Sequence, residues 1–143
     1  MTPDPQRRRL YAWEDREVAP RDTSRVPFAQ LQGLVDHVWS GEGLAWPPRV
    51  RPLARQARRT MARASRLAIE APEHLPTWVL LHEVAHAMSS TAEERSDGHG
   101  PIFVGLYLKL LVDYAGMPRA VLEASLRQAR LEWVAAAQPV FVT

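Results

Sequence analysis

Residues 82–86 read His-Glu-Val-Ala-His and lie inside an apolar run from Thr77 to Met88 that has room for about three helical turns. On a helix, side chains four apart are rotated by about 40° and separated by about 6 Å along the axis. His82 and His86 can therefore aim two imidazoles at one point. Glu83 is rotated by about 100° from His82, close enough to hold a water beside that point without ligating a metal there. Two imidazoles suit zinc, and a neighbouring carboxylate suits a general base for metal-activated water. The run is apolar enough to be central in the fold, so whatever packs around it must be built to receive two histidines and a glutamate.

Catalytic zinc commonly takes three protein ligands and leaves a fourth position open. His99 is the leading candidate for the third. It sits in Asp97-Gly98-His99-Gly100-Pro101, ahead of the apolar segment Ile102–Leu111, and Pro101 suits the first turn of a new helix. The polar loop Ser89–Gly98 is long enough to swing His99 back over the first helix. Glu123 on a later helix, or Glu93 and Glu94 in the loop, are the alternatives that a thermolysin-like arrangement would use. The metzincin pattern is excluded, because Ser89 and Ala92 stand where it needs glycine and histidine.

These residues carry a resemblance. His82-Glu83-x-x-His86 followed by His99-Gly100-Pro101-x-Phe103 resembles the HExxH…HGPxF signature of SprT-like and related minimal zincin metallopeptidases, and is most similar to small actinobacterial metallohydrolases of that style. The likeness is strong over about Leu67–Leu111 and weak elsewhere. It implies a zincin fold, zinc held by His82, His86 and His99, Glu83 as catalytic base, and a peptide or protein substrate. Many SprT-like proteins carry a cysteine-rich zinc ribbon. This chain has no cysteine and so departs from those relatives at the element that accompanies their DNA-repair role.

A chain of 143 residues is expected to form one domain with a single modest core. Zero cysteine excludes a disulfide scaffold and any thiolate metal site. No apolar run approaches a membrane span, and Met1–Arg16 has no signal-peptide core, so a cytoplasmic location is expected. The net charge of +2 is too small to argue for a polyanionic partner. Seven arginines, at 49, 51, 55, 58, 59, 63 and 66, nevertheless come without an acidic residue between them. A solvated face is the first reading, and a nucleic-acid surface the second.

Along the chain, residues 1–9 read as a disordered arm and 10–143 as the domain, with Leu10–Val18 as a strand. Phe28, Leu31, Val35 and Val38 predict a helix opened by Pro27 and closed near Ser40-Gly41, with Gly41–Pro48 as a loop. Arg49–Ala71 reads as two or three short strands, although Gln56–Ser65 also fits a helix. Pro76 opens the motif helix. A helix over Pro101–Ala115 carries Phe103, Tyr107, Leu110 and Tyr114 on one stripe, with Gly116 as its cap. Pro118 starts a last helix with Leu122, Leu126, Ala129 and Trp133 inward. His37 and His74 read as ordinary surface or loop residues. Tyr107 and Tyr114 read as core, with oxyanion binding as the alternative role. The expected architecture is α+β: a zincin-like minimal metallopeptidase domain, with a small sheet packed on the motif helix and flanking helices. A non-catalytic metal-binding domain and a nucleic-acid-associated protein are the rival functions.

Overall fold

The computed structural model describes residues 3–53 and 62–142. It is a small α+β fold with five α-helices and two small sheets. Helix α1 spans Arg7–Trp13 and runs into a π-helical turn, Glu14–Val18, and a 3₁₀ turn, Ala19–Arg21. Strand β1 (Val26–Pro27) leads into α2 (Phe28–Gly41). Strands β2 (Arg49–Pro52), β3 (Arg63–Ala64), β4 (Ala68–Ala71) and β5 (His74–Leu75) follow. The chain finishes with α3 (Thr77–Met88), α4 (Pro101–Ala115) and α5 (Arg119–Gln128).

The three-stranded sheet has the order β2-β4-β3, with β2 parallel and β3 antiparallel to β4. Strands β1 and β5 form a separate antiparallel pair, Val26 opposite Leu75. The motif helix α3 packs chiefly on α4 and also touches the sheet through β3 and β4. Its apolar positions Leu80, Leu81 and Val84 are fully buried, and so are Leu31, Val35 and Val38 of α2. This central position explains why α3 is apolar all round rather than amphipathic. Its first amides have no local cap. They are satisfied from a distance, by Ser24 Oγ for Thr77 N–H (2.8 Å) and by Asp22 Oδ2 for Trp78 N–H (2.8 Å).

Two expectations fail at the N-terminus. Leu10–Val18 is helix and π-turn, not strand. Leu10, Trp13 and Glu14 form an inward stripe at helical spacing, and the charge on Glu14 disguises that period. The disordered arm does not hold for residues 3–9 either. Gln6 is buried, and its side chain bonds the His99 carbonyl (3.0 Å) and both the carbonyl (3.2 Å) and the amide (2.7 Å) of Glu132.

The helices expected from Phe28, Pro76, Pro101 and Pro118 are all present. The last one ends at Gln128, so Trp133 lies beyond it, half-buried under the Arg127 guanidinium. Strands flank residues 54–61 as expected, while the ambiguous stretch from Gln56 falls largely outside the described residues, as do Arg55, Arg58 and Arg59. Arg49, Arg51 and Arg63 are exposed, and Arg63 pairs with Glu70 at 3.3 Å. Arg66 departs from the solvated face: its guanidinium lies 4.8 Å from the Trp39 ring and 4.5 Å from that of Phe141, and it donates to the Trp46 carbonyl at 3.0 Å. Burial lowers its pKa. Among the described residues no helix is long and apolar enough to cross a membrane.

Candidate metal centre

Helix α3 presents His82 and His86 one turn apart on the side that faces α4, and the loop after α3 returns His99 to the same place. The three Nε2 atoms converge. His86 Nε2 lies 3.1 Å from His82 Nε2 and 3.2 Å from His99 Nε2. Among the described residues, these three side chains form the group whose ligand atoms all fall within 4.8 Å of one another. Glu123, the alternative third ligand, instead pairs with Arg119 at 3.7 Å, and Glu93 and Glu94 are exposed in the loop.

The loop reaches this position through its capping chemistry. Asp97 accepts from the amides of Ile102 (2.8 Å) and Phe103 (3.4 Å), satisfying the first turn of α4 from outside the helix. Burial raises the Asp97 pKa, and these amide bonds oppose the rise. Gly98 takes φ +65°, and a Cβ there would meet Asp4 Oδ2 at 2.8 Å, so both the backbone and the neighbour call for glycine.

Two carboxylates hold the far side of the rings. Glu14 Oε2 lies 2.5 Å from His82 Nδ1, and Asp4 Oδ2 lies 2.6 Å from His99 Nδ1. Asp4 Oδ1 also accepts the His99 amide at 3.1 Å. When neutral His82 and His99 rings give their Nδ1 protons to the carboxylates, their Nε2 atoms are acceptors. His86 Nε2 then carries at most one proton and faces both, so hydrogen bonding among neutral rings cannot satisfy the trio. A cation can. Nitrogens around a tetrahedral zinc at roughly 2.0–2.1 Å stand about 3.3 Å apart, close to the two separations at His86, while the His82–His99 pair falls within 4.8 Å.

Burial is the first influence on the titration of His82, Glu83, His86 and His99. It pushes the His86 pKa well down, helped by the charges of His82 and His99. It also lowers His99, against the opposing pull of Asp4. At His82 burial acts downward too, but the hydrogen bond and charge of Glu14, with the charge of Glu83, carry its pKa up. Glu83 is 6% exposed, and burial raises its carboxyl to about 7, with His82 pulling down and Glu14 pushing up. A carboxylate with that affinity for protons, beside an imidazole cluster, can accept a proton near neutral pH.

The remaining walls are aromatic. Phe103 is fully buried and contacts all three rings, at 4.3 Å between centroids for His86 and 5.1 Å for His82 and His99. Tyr107 is fully buried and donates its hydroxyl to Glu14 Oε2 at 2.7 Å. Tyr114 lies away from the cluster and donates to Glu42 at 2.8 Å. His37 is exposed against Tyr114, and exposed His74 contacts Arg25.

Reading the residues from the sequence missed Asp4, Gln6 and Glu14, all from the first fourteen positions. The only local signal was Glu14, an acid on the same helical face as Leu10 and Trp13. Comparisons with protein-family models, curated proteins and solved structures give no match for the chain.

Proposed function

We propose that this protein is a zinc-dependent hydrolase of the zincin style, acting on peptide or other amide bonds. The observation that supports the reading best is the convergence of three Nε2 atoms whose ring partners, Glu14 and Asp4, orient two of them. His82, His86 and His99 would hold the metal. A bound zinc supplies polarisation of the scissile carbonyl and acidification of water. Glu83 sits next to His82 on α3, takes the proton from the attacking water and passes it to the leaving amine. Phe103 and Tyr107 exclude water from the buried side of the cluster and so strengthen each electrostatic contact in it. Among the described residues strand β3 is an edge of its sheet and lies beside α3, where an extended peptide substrate can add as a further strand.

The test pairs elemental analysis with cleavage. Wild type should carry one zinc per chain. His82→Ala, His86→Ala and His99→Ala should each lose it, while Glu83→Gln should keep it and lose hydrolysis of a peptide library. Stoichiometric zinc in His99→Ala would remove His99 from the ligand set. A zinc-loaded wild type that cleaves nothing in broad libraries would favour a non-catalytic metal-binding domain.

A further inference from the structure

The chain has three tyrosines. Two have hydroxyls tied to carboxylates, Tyr107 to Glu14 and Tyr114 to Glu42. Tyr11 has no such partner among the described residues and is 40% exposed. Its ring lies 6.3 Å from that of His82, nearly parallel at 23°, and 5.1 Å from that of His99, edge-on at 71°. Phe103 closes the buried side of the same rings, so Tyr11 borders the cluster from the solvent side.

Its placement follows from α1. That helix buries Leu10, Trp13 and Glu14, and Glu14 is drawn in by His82 and Tyr107. Position 11 is then turned about 100° from Leu10, onto the rim of the imidazole cluster. Arg7, one turn earlier, stands 5.6 Å over the Tyr11 ring and adds positive charge to the same rim. Packing against two imidazoles needs only the ring. The hydroxyl, which has no side-chain partner among the described residues, adds a donor that such packing does not use.

We infer that Tyr11 is the substrate-facing donor of this site, and that its hydroxyl hydrogen-bonds the carbonyl oxygen of the bound substrate as water adds to the carbon. The role rests on the metallohydrolase reading. It requires no proton transfer from Tyr11, because the hydroxyl donates a hydrogen bond and keeps its proton. Helix α1 is thereby both the support of His82, through Glu14, and the wall that reads the reacting group.

The experiment uses the full chain loaded with cobalt(II), with acetohydroxamic acid as the probe whose carbonyl oxygen takes the place of the substrate's. Wild type, Tyr11→Phe and Tyr11→Leu are compared for cobalt content, for thermal midpoint and for acetohydroxamate affinity read from the cobalt absorption bands. Tyr11→Phe should keep one cobalt per chain and the wild-type midpoint, while its acetohydroxamate Kd rises roughly tenfold, the size expected for one lost hydrogen bond to a charged oxygen. Tyr11→Leu should show at least the same loss of affinity. Equal affinity in wild type and Tyr11→Phe would overturn the inference and leave the metal site standing. Loss of cobalt or a lowered midpoint in Tyr11→Phe would also overturn it, by making the hydroxyl a structural contact. A wild type that takes up no cobalt would overturn the metallohydrolase reading and the Tyr11 role with it.

Discussion

The Tyr107 hydroxyl donates to Glu14 Oε2 at 2.7 Å, across 93 residues of sequence and inside a fully buried environment. The same oxygen also holds His82 Nδ1. Tyr107 thus fixes the acid that fixes the ring. Glu14→Gln should weaken zinc binding about 10- to 100-fold, the usual effect of losing a carboxylate behind a metal-bound histidine. Tyr107→Phe should act more mildly on affinity and cost about 1–3 kcal/mol of stability, because a buried oxygen loses a donor. Chelator competition and urea unfolding separate the two. Unchanged zinc affinity in Glu14→Gln would show that the ring is held without it.

Metal removal should lower stability. A ligand that binds only the folded chain adds about 2.7 kcal/mol at a free concentration of 100 times its Kd, which for a chain of this size moves the melting midpoint by roughly 5–10 °C. Calorimetry with zinc and with excess chelator reads this directly, and re-addition of zinc should restore the higher midpoint. Superimposable melts would mean that no metal binds the native fold.

Two glycines offer an internal control. Gly98 and Gly116 both take φ +65°, but a Cβ on Gly98 would meet the Asp4 carboxylate, whereas one on Gly116 would meet nothing within 4 Å. Alanine at either position should cost about 1–2 kcal/mol through backbone strain. Gly98→Ala alone should also weaken zinc binding, by displacing the acid that orients His99. Equal zinc affinity in both variants would disconnect Asp4 from the metal.

Alkaline stability should depend on Tyr114. Burial first, and then the hydrogen bond and charge of Glu42, push its pKa to about 12, with Lys109 opposing and Asp113 adding a small rise. His37 is the other titratable side chain against its ring. A folded pKa above the ordinary value of 10 means that the native state holds its proton longer than the unfolded chain does. The contribution is complete below pH 10 and lost as pH rises toward 12. In chelator, to remove any metal effect, Tyr114→Phe should flatten the fall of the urea midpoint over that range. Parallel curves for the two proteins would refute this.

Helices α2 and α5 were legible in the sequence because their buried positions recur at helical spacing, α3 and α4 because each is a long apolar run, and proline marks each of the four starts. His99 was legible because glycine and proline around it announce a loop feeding a helix. The carboxylates behind the rings were not. Asp4 meets His99 across 95 positions and Glu14 meets His82 across 68, and neither pairing leaves a local pattern. Asp4 stands between two prolines in a polar stretch, which reads as an arm until Gln6 is seen fastened to Glu132. Glu14 interrupted the helical period of α1, since a buried charge looks outward until its two partners are placed around it.

The bonds from Gln6 to the backbone of Glu132 bring one of the earliest described residues against one of the later ones. During synthesis, then, the acids at 4 and 14 leave the ribosome long before the histidines they serve, and the latch at Gln6 waits for residue 132 to emerge. The Gln6 side chain can bond the His99 carbonyl and the Glu132 backbone together only once residue 132 is free, so a nascent chain arrested before that point would leave the Asp4 side of the imidazole cluster less firmly held.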